Sequence, residues 1–133
     1  MSDIGQHFTT FQDGSILTGR TLENDPAGIY GFNLNSICIE NLGNFDKDRD
    51  VMSQSQKNTI VRLTAALCLK FSISVNSDRL VYHYWFDKIS GKRNKGWPGS
   101  SKDCPGTNFF GGNTVKDCEE NFLPLVSQAK ANL

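Results

Sequence analysis

No stretch of this sequence approaches the ~20 consecutive apolar residues that a membrane-spanning helix needs, and the opening "MSDIGQHFTT" lacks the basic and apolar regions of a secretory signal. The expectation is a chain without a signal peptide, cytoplasmic as synthesised and without a membrane partner. An excess of charge is missing too: 14 Lys and Arg balance 14 Asp and Glu. No global field draws the chain to nucleic acid, so any partner is recognised by a local site. Cysteine is scarce. The four residues Cys38, Cys68, Cys104 and Cys118 include no C-x-x-C pair, which excludes a disulfide scaffold. Only two histidines, His7 and His83, are present. Internal repeats and low-complexity tracts are absent.

What is present is 133 residues, enough for one domain, 1–133, with a core that needs no staples. Two β-rich runs flank Asp13-Gly14, a strong hairpin signal, and predict strands over His7–Phe11 and Ser15–Thr18. "RTLENDPAGIYGFNLN" has no period and reads as a long surface loop, a segment type that often carries function. "SICIENL" predicts a strand with Ile37 and Ile39 on the core face and Ser36, Cys38 and Glu40 on the other. Ser53-x-x-Gln56 resembles a capping box, and Ile60, Leu63, Leu67 and Phe71 recur at helical spacing, so a helix runs from Ser53 to about Ser72. "RLVYHYWF" predicts a third strand. Thr114 caps a last helix to about Phe122, and Pro124 starts a new turn or kinks the old one. The alternation predicts an α/β or α+β domain with a mixed sheet.

The residues capable of chemistry are few. His83 falls at the end of its predicted strand, and Cys104, in "SSKDCPGTNFFGG", lies one loop away. Imidazole and thiolate both suit zinc, yet a catalytic zinc normally takes three protein ligands. On these residues alone, Cys104 is a buried thiol, half of a disulfide or a metal ligand. Cys38 and Cys68 read as buried free thiols and Cys118 as near the surface.

"HFTTFQDGSILTGR", "NSICIENLGNF", "VYHYWFD" and "KDCPGTNFFGG", in that order along the chain, resemble the zinc-dependent N-acetylmuramoyl-L-alanine amidases of the type 2 fold. That family includes phage and bacterial cell-wall amidases, endolysin-like enzymes among them, and the peptidoglycan recognition proteins. The resemblance implies a mixed central sheet flanked by helices. It implies hydrolysis of the amide between the lactyl group of N-acetylmuramic acid and the L-alanine of the stem peptide, with peptidoglycan as partner and action at the bacterial cell wall. It makes His83 and Cys104 zinc ligands, Lys102 the cation that stabilises the oxyanion, and Glu40 the general base on the zinc-bound water. Trp85, Trp97 and Arg93 flank the implied cleft as substrate contacts, the indoles against sugar rings and the guanidinium against stem-peptide carboxylates. Without the resemblance, Lys102 is a solvated lysine and Glu40 an exposed strand carboxylate.

The sequence departs from the family at its start. Family members open with a strand that carries the first zinc histidine, whereas this chain opens at the hairpin, and Gln6 stands where some members have a tyrosine. The expectation is a sheet lacking its first strand, a zinc site short of one ligand, and an exposed sheet edge that a second copy could pair with to give a homodimer. Alternatives to an active amidase are a non-catalytic peptidoglycan-binding module and an inactive truncated domain.

Overall fold

The structure is a computed structural model and describes residues 4–87, 89–94 and 103–133. Its sheet is mixed and three-stranded, in the order β2-β1-β3. β1 (Phe8–Thr10) and β2 (Ile16–Thr18) form the expected antiparallel hairpin, with Phe8 opposite Thr18. At its tip Gly14 adopts φ +87°, a conformation that glycine enters without steric cost. β3 (Ile39–Asn41) lies parallel to β1, with Thr9 opposite Glu40. A parallel neighbour requires a long return, and residues 19–38 supply it. Among the described residues no strand pairs with the outer edge of β2 or of β3.

Helix α1 (Gln54–Lys70) begins where the capping signal placed it: the Ser53 hydroxyl accepts the Gln56 N–H at 3.0 Å. The reciprocal half of the box is not made. The Gln56 side chain turns inward and donates to the Thr10 carbonyl (3.1 Å), the Thr10 hydroxyl (3.2 Å) and the Leu42 carbonyl (3.2 Å). One buried carboxamide thus ties α1 to β1 and to the end of β3. The inward stripe is Gln56, Ile60, Thr64, Ala65, Leu67 and Cys68, so Phe71, expected in that stripe, is an exposed residue just past the helix end.

Two expectations are corrected in the second half of the chain. "RLVYHYWF" is not a strand: His83–Trp85 forms a 3₁₀ turn, joined to neighbouring chain by one bridge, Phe86 with Arg93. Tyr82, Tyr84, Trp85 and Phe86 are all buried. A strand sends successive side chains to opposite faces, whereas a turn rotates consecutive rings into one interior. Cys118 is not near the surface but fully buried. It stands on a widened π-helical turn, Cys118–Phe122, between the single turn α2 (Val115–Asp117) and α3 (Leu123–Ala131). Pro124 has no N–H and its ring crowds the carbonyl four residues back, which accounts for the widening just before it. Thr114 caps α2 as expected, exchanging bonds with Asp117. α3 packs on α1, and together they enclose a core of Ile60, Tyr82, Trp85, Phe109, Phe122 and Val126. No helix among the described residues is long and apolar enough to cross a membrane.

Candidate functional site

Two loops build the site. The segment after β3, 42–50, is closed on itself by Asp50 N–H to the Asn44 carbonyl and by Asn44 N–H to the Asp50 carboxylate, both 2.8 Å. It is stitched to the Cys104 loop by three further bonds. Asn108 N–H donates to the Phe45 carbonyl (2.8 Å), Lys47 N–H to the Thr107 hydroxyl (2.8 Å), and Thr107 N–H to the Asp46 carboxylate (3.0 Å). The glycine of Cys104-Pro105-Gly106 has a direct steric reason: its φ is +124°, and a Cβ there would stand 2.6 Å from the Phe45 carbonyl carbon. The Cys104–Pro105 peptide is cis. Between the loops lies a shallow, open depression of about 200 Å³, lined by Gly43–Asp46 and Asp103–Gly106.

The histidine turn joins this frame through backbone. Tyr84 N–H donates to the Cys104 carbonyl at 2.9 Å, which sets the residue beside His83 against the residue that carries the exposed thiol. His83 is half-buried. Cys38, just before β3, is the residue that sequence reasoning passed over. Its half-buried thiol is pushed up to about 11, first by burial and then by the negative charges of Glu40 and Cys104. Glu40 and Cys104 therefore both lie near enough to the Cys38 sulfur to act on it. Strand parity, which put Cys38 and Glu40 on one side, was the available signal.

His7 is fully occupied elsewhere. Its Nε2 lies 2.8 Å from the Asn24 carbonyl, and its Nδ1 accepts the Cys38 N–H at 3.0 Å. These partners assign the proton to Nε2 and leave neither ring nitrogen for a metal. The ring is a brace between the long loop and the start of β3.

A model of the N-acetylmuramoyl-L-alanine amidase family matches residues 2–107, which include Glu40, His83 and Cys104. This chain belongs to that family. No curated protein matches it. Family membership carries peptidoglycan amidase activity at the level of the family, and it raises the question of a metal in this chain. Among the described residues no three His, Cys, Asp or Glu side chains are grouped so as to hold an ion. His83 and Cys104 are donors of the right chemistry for zinc, but they are two, and His7 is committed. The described residues of this amidase-family chain do not fit a complete catalytic metal shell.

Trp85 is corrected as a substrate contact. It is 0% exposed, its Nε1–H donates to the Asn113 carbonyl at 2.7 Å, and its ring packs 4.9 Å from that of Tyr82. An indole so enclosed has no face for a sugar. The Arg93 guanidinium covers that indole at 5.4 Å, donates to the Ser77 carbonyl and stands 3.8 Å from Asp78. It straps the 77–94 region together through partners that all belong to the chain. Lys102 and Trp97 lie outside the described residues.

Proposed function

We propose that this chain is a peptidoglycan-directed domain that acts on the amide between the lactyl carboxyl group of N-acetylmuramic acid and the α-amine of L-alanine. In that reaction water adds to the amide carbon, the C–N bond breaks, and the products are the lactyl carboxylate and a free L-alanyl amine. The observation that carries the reading is the Tyr84–Cys104 bond, which sets the histidine turn against the Cys104 loop inside the segment that matches the amidase family. Glu40, on the same side of β3 as Cys38, is the carboxylate available to take a proton from water, and Lys102 is the cation proposed to face the developing oxyanion.

In this reading His83 and Cys104 would be the zinc ligands, and the shell is one donor short among the described residues. The whole of 1–133 is read as one domain. A second reading, binding without hydrolysis, is favoured by one specific observation: both ring nitrogens of His7 are already bonded to backbone.

Incubation of the purified chain with N-acetylmuramoyl-L-alanyl-D-isoglutamine and Zn²⁺ tests both. Release of a free L-alanyl amine supports the amidase reading. Saturable binding of the intact ligand with no amine released selects the binding module, and neither binding nor release overturns the peptidoglycan assignment.

A further inference from the structure

The long loop between β2 and β3 holds its shape through its own side chains. The Asn33 carboxamide oxygen accepts the N–H groups of Gly28 (2.8 Å) and Ile29 (3.0 Å). Phe32 N–H returns to the Ile29 carbonyl (3.0 Å), and the Ser36 hydroxyl donates to the Asn33 carbonyl (2.8 Å). On this frame Tyr30 is 70% exposed, Leu34 76% and Phe32 49%. The inner edge of Phe32 rests on the buried Phe86, with ring centroids 4.7 Å apart. Gly91 lets the neighbouring loop approach so closely that a Cβ there would lie 2.7 Å from the Tyr30 carbonyl oxygen. Aromatic rings presented to water on a bonded loop have their ordering entropy settled in folding, which is the condition for a recognition surface.

The same bonded frame abuts the candidate site: a Cβ on Gly28, one of the residues held by Asn33, would stand 3.1 Å from the Cys38 sulfur. We infer that Tyr30 and Phe32 form a stacking platform for the hexosamine ring of a muramyl peptide. The inference rests on the reading given under Proposed function and names the part of the ligand that this loop takes. The bond assigned there hangs from a lactyl ether on a pyranose, so a ligand held at the site brings a sugar ring close beside it. The C–H face of a pyranose is apolar and matches an exposed aromatic face. A second copy of the chain is the weaker fit, because three side chains cover far less than the ~800 Å² per partner that a standard stable interface buries.

Titration by NMR with two probes tests the inference: N-acetylglucosaminyl-N-acetylmuramoyl-L-alanyl-D-isoglutamine, and the sugar-free L-alanyl-D-isoglutamine. Tyr30→Ala, at an exposed position, should weaken the saccharide probe about tenfold, the equivalent of ~1.4 kcal/mol, while leaving the sugar-free peptide unchanged. Tyr30→Phe, which keeps the ring, should bind the saccharide as the parent does. Unchanged saccharide binding in Tyr30→Ala, or an equal loss on both probes, overturns the platform while parental binding leaves the peptidoglycan reading standing. A concentration-dependent dimer that Tyr30→Ala dissolves assigns the surface to a second copy and likewise overturns it. A parent chain that binds neither probe sinks both.

Discussion

The amide of Tyr84 donates to the carbonyl of Cys104 across 2.9 Å, a main-chain bond between segments twenty residues apart that sets the His83 turn beside the Cys104 loop. Because the link is main chain to main chain, it persists when the side chains on either side are changed. The donors can therefore be altered one at a time without dismantling their frame.

Zinc retention should separate the two histidines. His83→Ala and Cys104→Ser are expected to weaken retention by more than the roughly 10–100-fold that loss of an outer-shell partner costs. His7→Gln should leave metal content unchanged and lower thermal stability, since both ring nitrogens bond backbone. Metal analysis after dialysis, beside a melting curve, reads both effects. Metal lost only in the His7 variant would reverse the assignment.

Glu40→Gln and Lys102→Ala should lower the rate of amine release from the muramoyl dipeptide while the fold is retained. Removing one positioned general base or one oxyanion donor costs on the order of 10²-fold in rate. Circular dichroism should match the parent, as Glu40 is exposed on β3. Parental rates in both variants return these residues to the role of surface charge.

Gln56 and Trp85 should behave as structural residues. Gln56→Ala takes the side-chain donor from the Leu42 carbonyl and one of two donors from the Thr10 carbonyl, which keeps the Leu42 N–H, at a cost of about 1–3 kcal/mol. Gln56→Glu should be worse, because a buried carboxylate cannot donate to a carbonyl. Trp85→Ala empties the centre of the core and should cost about 3–5 kcal/mol. Urea unfolding measures all three. A Trp85 variant that keeps full stability but loses ligand affinity would restore that indole to the cleft.

Stability should fall in alkali. Burial raises the Cys118 thiol from 9.0 to about 11, with the Tyr82 hydroxyl pulling it down and Glu119 pushing it up. The Tyr82 hydroxyl, itself pushed upward by burial, has no conventional hydrogen-bond partner among the described residues. A thiol raised on folding favours the native state fully below its unfolded value. That contribution is lost as pH climbs from about 9 through about 11, because the unfolded chain releases the proton first. Urea midpoints across this window should drop, and Cys118→Ala should flatten the slope. An identical slope in that variant would place the alkaline sensitivity elsewhere.

The elements legible from sequence are those whose cause lies within a few residues. Asp13-Gly14 makes its hairpin because Gly14 accepts a left-handed backbone, while Ser53 and Thr114 start helices by bonding N–H groups three residues on. "CPG" marked the loop at the site because only glycine fits beside Phe45, whereas the strand expected over "SICIENL" shrinks to Ile39–Asn41 and leaves Ile37 and Ile39 half-buried outside the core. Elsewhere the tertiary structure decided. Aromatic, β-branched "RLVYHYWF" has the composition of a strand, yet it turns at His83 because four of its rings share one interior. Gln56 left its cap for the carbonyls of Thr10 and Leu42, the first of which also accepts the Leu42 N–H. Trp85 and Cys118 were sealed by elements remote in sequence, and His7 was withdrawn from metal chemistry by Asn24 and Cys38. Local backbone preference and short-range hydrogen bonds are encoded residue by residue. Burial and the partner of a polar side chain depend on which distant segment arrives beside it, and only the packed chain determines that.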